Sequence, residues 1–292
     1  MLPTRNRGAL AVGALETVLP QLGPGDEIIV VDNGSSDGSD VLLEGWLSRN
    51  PAGARLIHQP EHGVSAARNA ALCETTREVV CFIDDDERAD PAWLQEIRRA
   101  WAAAGPRVGA VGGRKRLVWG APRPDWLPDY LLYVINGADP GEVARRILPR
   151  PGGPLLSAGN LSVRASAVNE IGVFDVTIGA RPAAPLGRGE EDDFQRRLAA
   201  ADWELWYEPA IVVDHLVPPQ RLTTGYFRAA HRQRALRELG DGDTRWRALP
   251  RLGREGARYA LYRSVGRPEA ESAVFGLVYA WTRLAGRRPG LT

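Results

Sequence analysis

Lysine is almost missing from this chain of 292 residues: Lys115 is the only one, and arginine supplies the rest of the positive charge. That bias reads as a property of coding rather than a device. Cysteine is equally scarce. Cys73 and Cys81 are too few for a disulfide scaffold and lack the paired spacing of a zinc site, so they read as two buried thiols in a reducing cytosol. A charge imbalance is missing as well, since Lys+Arg 37 against Asp+Glu 36 leaves +1. No whole-molecule field therefore draws the protein onto nucleic acid or an anionic membrane, and any bound anion needs a local site. No apolar run reaches 18 residues and no charged-then-apolar leader begins the chain. The expected location is the cytoplasm, with peripheral contact at the inner face of the membrane as the alternative. Disorder and a coiled coil are excluded by 44% hydrophobic and 25% charged residues without a heptad.

What is there alternates. Short β-rich apolar runs at Glu27 to Asp32, Arg55 to Gln59, Val79 to Asp84, Val108 to Val118, Leu155 to Arg164 and Leu205 to Asp214 are separated by helical stretches. The helices are predicted at Ala9 to Gln21, Asp40 to Arg49, Ser65 to Thr75 and Pro91 to Ala103. This pattern predicts an α/β fold with a mostly parallel sheet flanked by helices. Trp119 to Pro154 and Ile178 to Gly189 are rich in Pro and Gly and read as loops laid over a site. From Pro218 onward the strands stop. Helices at Leu222 to Leu239, Arg245 to Ser264 and Pro268 to Arg287 form a C-terminal appendage. The expected division is residues 1–217, split at 118/119 into a nucleotide half and an acceptor half, followed by residues 218–292.

Five places along the chain carry chemistry, most of them at strand ends. After EIIVVD comes Asp32, Asn33 and a Gly/Ser/Asp turn; at the carboxyl end of a strand this is a ligand crevice or a helix-capping turn, with equal weight. In GVSAARNAA a single cation, Arg68, stands on a small-residue helix, where its planar fork suits a phosphate or, taken alone, a salt bridge. The sharpest signal is Asp84, Asp85 and Asp86 at the end of VVCFI. Three consecutive carboxylates repel one another unless a cation neutralises them, and Mg²⁺ or Mn²⁺ favours one or two carboxylates plus phosphate oxygens. Glu190, Glu191, Asp192 and Asp193 open a helix with more acid than a cap requires, so one of them is a candidate general base. His215 ends the last strand and is a candidate metal ligand.

Taken in order, PTRNR, VVDNGSSDGS, GVSAARNAA, FIDDD, AGNLSVR, GEEDDF and the late His215 resemble the family-two glycosyltransferases, which have the GT-A fold. The resemblance covers roughly the first 215 residues. It implies a nucleotide-diphosphate sugar donor, a divalent metal (Mn²⁺ or Mg²⁺), an acceptor hydroxyl on an unknown partner, and usually inversion at the anomeric carbon. It places Thr4, Arg5, Asp32, Asn33, Arg68, Asp84 and Asp85 around the nucleotide, Asn160 toward sugar or acceptor, and Asp86 with His215 at the metal. The family's acidic pair is Glu-Asp or Asp-Asp. Here it is Glu190-Glu191, which leaves the base as Glu191, then Glu190, then Asp193.

The family also has a full apolar strand before its PT-x-N motif, where this sequence has Met1 and Leu2. Two rivals are a sugar-nucleotide pyrophosphorylase, for which PTRNRGAL is a poor match, and a catalytically silent sugar-nucleotide-binding protein of the same fold. In the last helix Val274, Leu277, Val278, Trp281 and Leu284 fall at helical spacing. That stripe is expected to dock against the catalytic domain or in a homodimer, with a membrane interface as the alternative.

Overall fold

The apolar run IIVVD has no polar interruption before its last residue, and it becomes a strand buried at all five positions, β2 (Ile28–Asp32). In the computed structural model, which describes residues 1–50, 53–137, 140–149, 155–182, 184, 187–240, 249–265, 267–268 and 270–285, it is the middle of a three-stranded parallel sheet. Its neighbours are β1 (Leu2–Thr4) and β3 (Ala54–His58), with Thr4 opposite Asp32 and Asp32 opposite His58. Short as β1 is, it reaches the next sheet: the Ile83 N–H donates to the Met1 carbonyl at 3.1 Å.

The second sheet contains β4 (Val79–Ile83), β5 (Glu87–Ala89), β6 (Val108–Trp119), β7 (Arg145–Ile147), β8 (Asn160–Arg164) and β9 (Glu204–Val217). Its order is β4-β8-β6-β9-β5, with β7 also on β9. Here β4 and β6 run antiparallel to β8, and β5 and β7 antiparallel to β9. The parallel sheet expected from the βα alternation is therefore that of the first three strands. The antiparallel half was hard to read because β9 alternates in burial but not in polarity. Ile211, Val213, His215 and Val217 point inward, while Val212 and Leu216, also apolar, are half-exposed.

Helices α1 (Gly8–Val18), α2 (Ser39–Arg49), α3 (Val64–Glu74) and α4 (Trp93–Ala103) cover the strands of the first half. Leu2, Leu15, Val30, Leu43 and Trp93 belong to the core beneath α1, α2 and α4. Helices α5 (Ala165–Ile171) and α6 (Glu190–Ala200) close a second core, where Phe174 stacks on Phe194 at 4.4 Å and meets Phe82 edge-on at 5.8 Å. Cys81 is half-buried on β4, and burial pushes its thiol up to about 11. Cys73 is exposed on the last turn of α3, against the expectation that both thiols are buried.

The chain divides into two compact units, Met1–Val118 with Asp139–Leu216, and Trp119–Ala138 with Val217–Thr292. The second is thus assembled from two stretches of chain, whereas the sequence reading used only the C-terminal one. It holds α7 (Thr224–Gly240), α8 (Leu249–Ser264) and α9 (Ala270–Ala285). Trp126 packs edge-on against Phe227 at 5.1 Å and Phe275 at 5.4 Å, which explains why the segment from Trp119 joins these helices. On α9 the buried side is Ala273, Phe275, Tyr279 and Ala280. The stripe expected to dock is therefore turned outward. Val274, Leu277, Val278 and Leu284 are half-buried and Trp281 is 66% exposed. The opposite face buries Phe275 against Trp126 and Phe227, a larger apolar contact than the stripe makes, so the helix buries that side instead. Among the described residues, no helix is long and apolar enough to cross a membrane.

Candidate active site

β4 ends where three acids follow, and the backbone turns at once so that Glu87 N–H donates to the Asp84 carbonyl at 3.1 Å. The turn is held from below. Glu87 is buried completely, accepts the Asp84 N–H at 3.1 Å and pairs with buried Lys115 of β6. Burial alone lowers the Lys115 ammonium, but Glu87 and Asp84 outweigh it and hold it above its ordinary value. The only lysine of the chain is thus a structural counter-charge under an acidic turn. A Cβ at Gly159 would come within 2.5 Å of the Asp84 and Glu87 carboxylates, so the AGN turn needs glycine there to let the acids approach.

From above, the turn is held by a residue the sequence reading passed over. Arg7 places one guanidinium nitrogen 2.8 Å from Asp85 and another 3.0 Å from Asp86. Asp85 also accepts the Thr4 hydroxyl at 2.8 Å. Burial pushes the Asp85 carboxyl up to about 7, opposed by Arg7 and reinforced by Asp86. Thr4 is therefore spent on Asp85, and Arg5 is exposed in the turn after β1. His215 lies across from Glu87 in the β5–β9 pairing, with Nε2 3.7 Å from Asp86.

Arg68, on the first turns of α3, is buried between two carboxylates. It donates to Glu190 at 2.9 Å and to Asp84 at 3.1 Å. Burial disfavours its charge, yet Asp84 and Glu190 more than compensate, and its pKa is raised. Glu190 is buried at the start of α6, and half-buried Glu191 follows it in the first turn. Burial, first, and the adjacent Glu190 push the Glu191 carboxyl up to about 8, against the pull of Arg68 and Arg188. Gly189 stands before the helix at φ 107°, a conformation that favours glycine and turns the two glutamates back toward α3.

Asp32 is buried at the end of β2, where its carboxylate accepts the Ser35 N–H at 3.3 Å. Asn33 is a staple between loops: its amide donates to the Gln59 and Glu61 carbonyls and its oxygen accepts the Gly63 N–H at 2.7 Å. Asn160, expected to face sugar or acceptor, is 1% exposed instead. It donates to the Arg114 and Ile211 carbonyls at 2.9 and 3.0 Å and accepts the Trp93 indole N–H at 2.8 Å. With all its polar atoms engaged in the core, it ties β6, β9 and α4 together. Asp193, third choice as base, is committed to Arg197 at 2.8 Å one turn along α6.

Asp84, Asp85, Asp86, Arg68, Glu190, Glu191 and His215 are thus brought to one end of the strands, whereas Asn160 and Asp193 are tied into the scaffold. Such an arrangement can bind a cation-bridged anion beside a carboxyl that titrates near neutrality.

Known proteins carry the same plan. The chain is 31% identical to the succinoglycan biosynthesis protein ExoM of Rhizobium meliloti (strain 1021) over 100 residues, 34% of this chain and 32% of that protein. It is 27% identical to the pre-mycofactocin glycosyltransferase of Mycobacterium tuberculosis (strain ATCC 25618 / H37Rv) over 215 residues, 74% of this chain and 42% of that one. The chain therefore spans well under half the length of these curated relatives. Among solved structures it is similar to a mannosyltransferase from Pyrobaculum calidifontis in complex with GDP-Man and Mn²⁺, with a TM-score of 0.59 and 20% identity over 97% of this chain and 72% of that one. That likeness shows the GT-A fold. The family model described as glycosyl transferase family 2 matches residues 1–171, the stretch that contains β1, the triple-aspartate turn and Arg68, and the chain belongs to that family.

Proposed function

We propose that this glycosyltransferase moves a sugar from a nucleotide-diphosphate donor to an acceptor hydroxyl, with a divalent cation and with inversion. The observation that carries the reading is buried Arg68, which bridges Asp84 of the triple-aspartate turn at 3.1 Å and Glu190 at 2.9 Å and so brings the adjacent Glu191 carboxyl to the same side as that turn.

The side chains suit a divalent ion in a particular way. Among the described residues no three His, Cys, Asp or Glu groups form a closed metal cage. Asp86 and His215, 3.7 Å apart, instead supply one carboxylate and one imidazole. Asp86 and His215 are the residues that would hold Mn²⁺ or Mg²⁺ at this site. When bound, the ion would offset the negative charge that develops on the departing diphosphate.

The chain's own residues do the rest. Arg7 holds Asp85 and Asp86 in register. Glu190 neutralises Arg68, and burial beside Glu190 keeps the Glu191 carboxyl protonated until pH approaches about 8. Glu191 then accepts the proton of the acceptor hydroxyl as that oxygen bonds to the anomeric carbon and the bond from that carbon to the diphosphate oxygen breaks. Attack opposite the leaving group inverts the carbon, and no enzyme-bound sugar ester is required. The pyrophosphorylase alternative gives way to the family shown above.

Calorimetry with a nucleotide diphosphate, with and without Mn²⁺, tests the cation assignment. The wild-type chain is expected to bind more tightly with the ion and Asp86→Ala to lose that gain. Equal affinity and equal Mn²⁺ dependence in the variant would remove Asp86 from the role.

A further inference from the structure

Residues 218–292 contain fifteen arginines and six acidic residues, whereas the chain as a whole carries +1. The near-neutral total conceals a C-terminal stretch with an excess of nine positive charges and a remainder with an excess of eight negative ones. Among the described residues of this stretch, an apolar surface is exposed. Helices α8 and α9 pack closely, since a Cβ at Gly276 would meet Glu255 at 2.6 Å and one at Gly256 would lie 3.9 Å from Leu277. Beside that seam Trp281 is 66% exposed and Leu277 is half-buried, while Ala257 and Ala260 on α8 face solvent and Leu261 is 59% exposed. A solvated helix face ordinarily carries charges of both signs. Here the exposed charges of α8 are arginines, Arg254 and Arg263.

We propose that the α8–α9 hairpin lies on an anionic lipid bilayer surface, with Trp281 at headgroup depth and Arg254 and Arg263 on lipid phosphates. An exposed indole beside aliphatic residues suits the boundary between headgroups and acyl chains, where one end of the ring is wet. Arginines around it gain from a negative leaflet. A second copy of the chain is the poorer occupant, because face-to-face contact would bring two arginine-rich surfaces together. The proposal is independent of the sugar-transfer reading, and nucleotide binding by the same preparations checks that reading separately.

Flotation of the full chain with vesicles of phosphatidylcholine alone, and of phosphatidylcholine mixed with phosphatidylglycerol, is the test. The chain is expected to float with the mixed vesicles only, with a blue shift of tryptophan emission, and to be released by salt. Trp281→Ser should abolish flotation and the shift. Arg254→Glu with Arg263→Glu should weaken binding about fivefold or more for each arginine removed. Both substitutions are at exposed positions, and an unchanged helical circular dichroism spectrum shows that the fold survives; if one variant fails to fold, the other decides. Absence of flotation by the wild-type chain overturns the proposal. So does flotation that persists in both variants, or a dimer in light scattering that Trp281→Ser converts to monomer without any vesicle binding.

Discussion

The Arg68 guanidinium meets the Glu190 carboxylate at 2.9 Å across 122 positions of sequence, with both side chains almost wholly buried. The contact joins α3 to α6 and separates two adjacent glutamates into different tasks. Glu190 neutralises a buried cation, while Glu191, more accessible, retains a proton near neutral pH.

Substitution of each glutamate by glutamine should separate these tasks. Glu191→Gln is expected to fold and bind donor normally but to lose transfer by about two to four orders of magnitude, the usual worth of a positioned proton acceptor. Glu190→Gln leaves Arg68 with Asp84 alone and should lower stability by about 3 kcal/mol, as breaking one side of a buried ion pair does. Chemical denaturation and initial rates on the same preparations distinguish them. A stable, inactive Glu190→Gln beside an active Glu191→Gln would reverse the assignment.

The raised Glu191 carboxyl also fixes a pH dependence. Its folded pKa of about 8 lies above the ordinary value of 4.5, so between those limits the native state binds more proton than the unfolded chain. Its contribution to stability is full below 4.5 and is lost as pH rises through about 8. Transfer should rise over the upper part of the same window as the base becomes available. Urea denaturation across the range, for wild type and Glu191→Gln, should give a flatter profile in the variant, although Asp85 contributes a residual slope of the same sign.

Asn160 offers a third measurement. Removal of its amide strands the Trp93 indole and two carbonyls in the core, so Asn160→Ala should cost roughly 3 kcal/mol by denaturation. Donor affinity of the folded protein should be preserved. A variant of normal stability that binds donor poorly would return Asn160 to the substrate.

Acids at a strand end were legible because their repulsion demands a cation wherever the chain goes. Their partners were not. Arg7 is 79 positions from Asp86, and it is the turn after β1 that brings them together. Lys115 looked like a remnant of biased coding until β6 placed it beneath Glu87. Asn160 misled for the opposite reason: an Asn in a glycine turn at a strand end resembles a ligand group, and only the approach of Trp93 from α4 reveals its three bonds to the scaffold. The order of strands could not be read either, since β9 is apolar on its half-exposed positions as well as its buried ones.

Because Trp119–Ala138 belongs with Val217–Thr292, the chain enters the second unit twice, and Gly120 N–H bonds the Val217 carbonyl at 2.9 Å where the two passages run side by side. A stop codon after β9 would therefore not yield a clean catalytic fragment. It would leave Trp126 without Phe227 and Phe275, and Tyr133 without His231, an invitation to aggregate. For anyone grafting this unit onto a related enzyme, both passages have to travel together, and a chimaera with a single junction is the one to avoid.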